Sequence, residues 1–431
     1  MLGLWFFVNT ALGTNSFTVG GFHLNLNVVI LTLAGIVMLF NEPKFTFRSI
    51  RTVAAFFLFS VFSLIVSLAG PCTNGLLKSI LTLPLLAFLL FVGFETGVRA
   101  STADWLNLHK WALWVLAVGF SSILLEALLP SLFSYKAEYQ AAGRLSGIFR
   151  EPSFVAFSLI PCVLVLLMNE KAKMRRLGIL ALVSLVLISR SSSMIVLGAI
   201  STLYWVVIQR KTGKLLLYGL ILGVLIGIAS VVNYEKLLGP TMERITGLSP
   251  TDTNSNLSSY VYLQGWQDAG ANLARTHWLG LGVNMMGCDP LPDVPVRTIL
   301  TGYNLGDENA QDGSFLFAKI VSETGIVGVI FYIAIIWFWI KSEKFVLKLG
   351  NNPERRVAAI QSALMFYFVM VSFERGPGYF SCQLALFIVA AVSNSELQRK
   401  FRAKLMPALH NDREQNFSLK MSRRTTDTIT H

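Results

Sequence analysis

The chain has 431 residues, 54% of them hydrophobic and only 14% charged, where a soluble domain carries roughly a quarter charged residues. With a mean hydropathy of +0.59, this composition excludes a soluble enzyme built on one large core and describes a polytopic membrane protein. The net charge of +12 does not imply nucleic acid, because most Lys and Arg sit in short loops between apolar runs and at the C-terminal end, as the positive-inside rule expects.

A membrane crossing needs about 20 mainly apolar residues. In chain order, the stretches that meet or approach this are Leu2–Leu12, Leu24–Phe40, Thr52–Ala69, Leu76–Phe94, Trp111–Leu129, Phe154–Met168, Leu177–Ser189, Met194–Ile208, Leu215–Val232, Ser314–Ile340, Val357–Phe373 and Tyr379–Ser393. The first is short and has no basic n-region, so a cleavable signal peptide is not expected. The pair around Arg190 is short for two crossings, and one of them is read as a broken or re-entrant helix. The expected class is all-α, with about twelve transmembrane helices. Alternate loops hold Lys44, Arg48 and Arg51; Arg99 and Lys110; Lys171, Lys173, Arg175 and Arg176; Arg210, Lys211 and Lys214; and Lys341, Lys344, Lys348, Arg355 and Arg356. This pattern puts both termini in the cytoplasm.

The chain then divides into four parts: residues 1–230, helices with short loops that include an outer loop over 130–153; residues 231–313, one large outer loop; residues 314–393, the C-terminal helices; and residues 394–431, a basic tail read as disordered and in reach of anionic lipid. Four cysteines (Cys72, Cys162, Cys288 and Cys382) show no metal-ligand spacing. A bridge from Cys72 to Cys382 or Cys288 is left open. Neither a Walker loop nor a dinucleotide fingerprint is present, and the residues call for no cofactor and no metal.

The outer side should be poor in cations, yet it holds Arg144, Arg150, Arg190, Arg244, Arg275, Arg297 and Arg375 against only Lys136 and Lys236. Arginine presents a planar fork that grips phosphate oxygens bidentately and cannot be deprotonated. An arginine-rich outer face therefore points to an anionic ligand; for each arginine, pairing with Glu151, Glu243, Asp293 or Glu374 is the alternative. The sharpest local feature is Gly143-Arg144-Leu145-Ser146-Gly147-Ile148-Phe149-Arg150-Glu151-Pro152-Ser153, directly before an apolar helix. Pro152 suits the first helical turn, and Glu151 or Ser153 can cap it. Free N–H groups and the dipole at that helix start favour an anion, so two arginines there make a diphosphate cradle. A capped helix with an interfacial arginine is the plainer alternative.

The string Arg144 to Ser153 resembles the R-x-x-G-x-x-x-E-P-S segment of bacterial O-antigen and exopolysaccharide polymerases, members of the O-antigen ligase/polymerase superfamily. Ile188-Ser189-Arg190-Ser191-Ser192-Ser193 resembles the arginine-containing break between two mid-chain helices of that family. Trp278-Leu279-Gly280-Leu281-Gly282 is similar to its Gly-rich turn within the large loop. Asp312-Gly313-Ser314-Phe315-Leu316, followed by Glu323-Thr324-Gly325-Ile326-Val327-Gly328, resembles the segment that closes that loop. The His-Asn pair that ligases carry before Gly-x-x-Gly is replaced here by Ser314 and Phe315, which sets the chain nearer the polymerases. No Arg stands within Ser258–Leu263, where the family often has one.

The resemblance implies a multi-pass protein of the bacterial inner membrane with a large periplasmic loop, acting on undecaprenyl-diphosphate-linked glycan. It implies a metal-independent glycosyltransferase that joins repeat units, with a chain-length regulator and a flippase as candidate partners besides membrane lipid. Such chemistry needs cations for the diphosphate and a base for the acceptor hydroxyl. The candidates are Arg144, Arg150, Arg190 and Arg275 for the diphosphate, and Glu151 and Asp312 as catalytic carboxylates. His277 and Glu323 complete the substrate-binding set. Glu323 is expected nearly three turns into a helix that starts near Ser314, where a carboxylate is costly and so a functional suspect; pairing with Lys319 is its alternative. Tyr260, Tyr262, Trp266, Trp278 and Tyr303 can stack on sugars or form an interfacial belt. A ligase, a transporter and a non-catalytic assembly subunit are the competing readings.

Overall fold

The computed structural model describes residues 1–13, 16–19, 22–41, 47–68, 73–136, 140, 144–209, 257–287, 291–307, 309–350, 352–374 and 378–403. The expected stretch Leu215–Val232, the residues Gly143, Lys236, Glu243, Arg244, Arg375, Cys72 and Cys288, and the tail beyond 403 lie outside them. The described chain is helical except for one antiparallel hairpin, β1 (Ser16–Val19) with β2 (Phe22–Asn25), Ser16 opposite Asn25 and Val19 opposite Phe22. The all-α expectation holds for the framework, with this one hairpin added to it. The signal was present as two short alternating runs either side of Gly20-Gly21, a pair that two-residue hairpin loops favour.

The helices are α1 (Leu2–Leu12), α2 (Leu26–Asn41), α3 (Phe47–Leu68), α4 (Thr73–Arg99), α5 (Thr102–Leu128), α6 (Pro152–Leu167), α7 (Ala172–Ser189), α8 (Ser192–Gln209), α9 (Leu257–Arg275), α10 (Pro295–Gly302), α11 (Leu316–Thr324), α12 (Ile326–Lys348), α13 (Pro353–Glu374) and α14 over 382–403. A 3-10 segment, Pro130–Lys136, follows α5. Six of these helices (α3, α4, α5, α8, α12 and α13) are long and apolar enough to cross a membrane. The outer faces of α3 and α12 expose large apolar side chains, among them Leu58 (70%) and Ile333 (62%). Apolar surface on that scale belongs in hydrocarbon, so the protein is membrane-embedded.

At the centre lies α6, buried along its whole length apart from Phe154 and packed on α5, α7, α8 and α13. At 16 residues it is roughly 24 Å long, too short to match a bilayer, but its neighbours shield it from lipid. Pro161 removes one helix donor and would orphan the Phe157 carbonyl. Gln383 Nε2 of α14 donates to that oxygen at 3.3 Å, with the Cys382 thiol also against it. Cys382 and Cys162 are both buried free thiols, so Cys382 does not take part in a bridge to Cys72.

Two expected helix boundaries change. The pair around Arg190 is two helices of 18 residues each, α7 and α8, of which α8 is long and apolar enough to cross a membrane. Arg190 itself caps α7 in the left-handed conformation, φ 45°. The stretch from Ser314 onward is not one helix. It breaks at Gly325, φ 60°, where any side chain would run into the Trp278 carbonyl and the Leu279–Gly280 backbone. Glu323 is therefore the penultimate residue of the short helix α11, ahead of the separate span that starts at Ile326.

Helices consecutive in the chain pack on one another: α3 on α4, α5 on α6, α6 on α7 and α12 on α13. The 257–325 insertion seats on the end where α3 and α13 finish and α4 and α14 begin. Val283 N–H donates to Ser63 Oγ of α3 (3.2 Å), Asn284 Nδ2 to Thr82 Oγ1 of α4 (2.9 Å), and Tyr262 OH to the Phe373 carbonyl of α13 (2.9 Å). At the same end Ser193 of α8 donates to Glu374 of α13 (2.5 Å).

Candidate functional site

The loop between α5 and α6 is fixed by side chains that sequence reading did not select. Glu126, fully buried in the last turns of α5, accepts the N–H groups of Ser146 and Gly147 with one oxygen, both at 2.7 Å. Ser122, one turn earlier, accepts the N–H of Ile148 at 3.1 Å. From the other side Lys136, 1% exposed, donates to Ser146 Oγ at 2.8 Å and to the carbonyls of Gly147 and Phe149. Burial pushes the Lys136 ammonium down, and the Glu126 carboxylate pushes it back up. Gly147 has φ 61° and sits so close to Ser122 that a side chain would collide with it; only glycine fits there.

This clamp leaves Arg144 half-buried and Arg150 exposed on one short loop, with Glu151 as the N-cap residue of α6 and Pro152 behind it. The expected side-chain cap is absent. Ser153 Oγ instead donates to Glu151 Oε1 at 2.5 Å.

A second clamp gathers the motifs of the large loop. Glu323, 1% exposed, accepts Lys319 Nζ at 3.0 Å, the N–H of Asn284 at 2.8 Å and of Met286 at 3.3 Å, and the hydroxyl of Tyr379. Lys319 also donates to the Gln311 carbonyl. Backbone bonds from Leu281 to Ser322 (3.0 Å), Gly282 to Glu323 (2.8 Å) and Ile326 to Trp278 (2.8 Å) tie the two Gly-rich strings edge to edge. The motif Trp278–Gly282 and the motif Glu323–Gly328, 45 residues apart at their starts, are thus one structural unit. With its valences taken up by these groups, Glu323 positions the loop.

The remaining candidates fall around these clamps. Asp312 is exposed in the turn before Gly313. Arg275 ends α9, and His277 (φ 48°) and Trp278 (φ 67°) follow it in left-handed conformations with exposed side chains. Of the loop aromatics, Tyr260 is buried and Tyr262 half-buried against Phe315; Trp266 also touches Phe315 but is exposed (38%), as are Trp278 (54%) and Tyr303 (51%). Arg297 is bound to Asp268 at 2.7 Å. Burial pushes the Asp268 carboxyl up, against the opposing pull of Arg297 and Arg275. Among the described residues, no group of three His, Cys, Asp or Glu side chains stands ready to hold a metal ion.

No protein-family model matches the chain, and no significant relative is found among curated proteins.

The sequence signal for the first clamp was available in one form: Glu126 is a carboxylate inside an apolar stretch, where an ionisable side chain is costly unless it has a task. Its partners were not legible, because they lie in backbone N–H groups 20 residues away.

Proposed function

We propose that this chain is a polysaccharide polymerase of the bacterial inner membrane, with about twelve spans, both termini cytoplasmic and the 257–325 insertion on the periplasmic side. It joins undecaprenyl-diphosphate-linked repeat units by transferring the glycan of one lipid diphosphate to a sugar hydroxyl of another. The observation that carries this reading is the pre-set loop Arg144–Glu151: two guanidinium-bearing residues and one carboxylate on a backbone locked by Glu126, Ser122 and Lys136. The resemblance of that string to the polymerase motif supports the same reading.

In the transfer, the bond from the donor sugar's anomeric carbon to the phosphate oxygen breaks, and a bond to the acceptor oxygen forms. The leaving group is undecaprenyl diphosphate, whose developing charge must be matched. Arg150, together with Arg144, supplies fixed cations at that position without metal, and a rigid loop means that little reorganisation is needed as charge develops. Glu151 takes the acceptor's proton; Asp312, exposed in the turn before Gly313, is the other carboxylate for this role. Arg190 and Arg275 extend the cationic rim toward the second lipid diphosphate, with His277 beside Arg275.

The test is the glycan profile of a deletion strain carrying single variants. Arg144→Ala and Arg150→Ala are expected to abolish the polymer ladder and retain lipid capped with one repeat, at unchanged protein level. Arg150→Lys should restore little, because a point charge does not replace the bidentate fork. Normal ladders in all three reject the assignment, and loss of capped lipid altogether indicates a ligase or flippase instead.

A further inference from the structure

Along one face of α9 a line of polar side chains is buried with oxygen atoms to spare. Tyr260, Gln264, Asp268 and Asn272 stand four residues apart, each 4% exposed or less. Among the described residues, their Tyr260 OH, Gln264 Oε1, Asp268 Oδ1 and Asn272 Oδ1 atoms have no hydrogen-bond partner, and neither does the nearby Arg297 Nε. Twelve residues of helix rise roughly 18 Å, so the free atoms form a row rather than a point. The opposite face of α9 explains itself: Ala269, Tyr262 and Leu273 pack on Phe315, Ala318 and Val321.

The short helix α10 lies against the row at Tyr260 and Asp268, and it is the wrong cover for it. Val296 and Leu300 of α10, both fully buried, lie against Tyr260. The polar ties holding α10 down are few: Arg297 to Asp268, Arg297 to the Gly306 carbonyl (3.2 Å), and the Val296 N–H to Gln267 Oε1 (3.1 Å). A buried polar atom left unpaired costs its full desolvation, and native interiors hold few of them. Five gathered along α9 and Arg297 describe a face built for contact with something other than α10.

The chemistry of the row selects its ligand. Free acceptors predominate, and the one carboxylate is already offset by Arg297. A phosphate needs donors, which are scarce here. A metal cation would be repelled by Arg297 and by Arg275, whose charge also acts on Asp268. A neutral ligand rich in hydroxyl donors and extended over several sugar lengths fits. We propose that α9 presents a binding row for the uncharged part of a glycan chain, and that α10 is a lid that lifts to admit it. The proposal rests on the polymerase reading for the identity of the glycan alone.

The full chain, purified in detergent with Cys72 and Cys288 replaced by Ser, is titrated with the oligosaccharide released by mild acid from its host's own surface polysaccharide. Saturable binding that is insensitive to salt, with altered deuterium uptake over 295–302, is expected. Asn272→Leu should weaken binding about tenfold, the worth of one lost hydrogen bond, while unfolding no earlier than the parent, since an orphaned buried acceptor replaced by an apolar group of like shape is neutral or stabilising. A Gln267→Cys/Val296→Cys pair, oxidised, should block binding and regain it on reduction. Equal binding by the oxidised pair and by Asn272→Leu overturns the proposal. Absence of binding in a preparation that still elongates lipid-linked repeat units overturns it too and leaves water as the row's occupant; absence of both binding and elongation overturns the polymerase reading with it.

Discussion

Two regions of this protein solve one problem with the same pair of residue types. In each, a buried glutamate accepts two backbone N–H groups of a Gly-containing loop, while a buried lysine holds neighbouring carbonyls. At the α5–α6 loop, Glu126 and Lys136 act on the loop separately, from opposite sides. At the large loop, Glu323 and Lys319 are bonded to each other at 3.0 Å, one turn apart on α11, and the glutamate also takes the Tyr379 hydroxyl from another segment. The first clamp shapes a single loop and leaves its arginines outward. The second is a hub that fastens residues 281–287, 311 and 379 to one short helix. A hub should govern whether the insertion folds, and a clamp how a loop is aimed.

That difference sets the order of expected effects. Glu323→Ala strands a buried lysine and removes the acceptor for three other groups; breaking one partner of a buried pair costs about 3–5 kcal/mol, so thermal unfolding in detergent should shift furthest here. Glu126→Ala leaves two buried N–H groups unpaired, about 2–4 kcal/mol, but Lys136 keeps its three oxygen acceptors. Glu126→Ala and Lys136→Met together should cost less than the sum, since both act on one loop; strict additivity would separate the two residues and break the likeness between the clamps. Tyr379→Phe removes one of several donors to Glu323 and should cost about 1 kcal/mol, with elongation kept. The smallest effect concerns pH. Burial raises the Asp268 carboxyl above its ordinary value of 3.8, so the folded state binds the proton more tightly than the unfolded one. Its contribution is full below that value and is lost as pH rises through the folded one. Asp268→Asn should remove a shallow slope from the unfolding temperature above pH 4, and an unchanged slope would place the titration elsewhere.

Much of the helical framework was legible because hydrophobic stretches of near-membrane length need only local reading. The expected stretches within the described residues are mostly helical, though Leu24 falls in β2 and Ser314–Ile340 is two helices, and Leu2–Leu12 has the same bounds as expected. The hairpin at 16–25 and the break at Gly325 were not read. The break depends on the Trp278 carbonyl, which sequence distance hides. The arginine loop was legible as a string of residues; that Trp278–Gly282 pairs edge to edge with Glu323–Gly328 was not. Glu126 and Lys136 were not, since their partners are backbone groups with no residue identity. The polar row on α9 was visible only as polar residues in an outer loop; that they are covered and unpaired is a tertiary fact.

The central claim is that a pre-set guanidinium loop drives glycosyl transfer, and it is tested most directly by elongation in purified form. Wild-type protein, Arg150→Ala and Arg150→Lys are reconstituted with lipid-linked repeat units, and product length is read by mass spectrometry. Because Arg150 is exposed, all three should unfold at the same temperature, while single-turnover elongation falls about 10²–10³-fold in the alanine variant and recovers little in the lysine variant. Elongation at the wild-type rate by Arg150→Ala is the result that contradicts it.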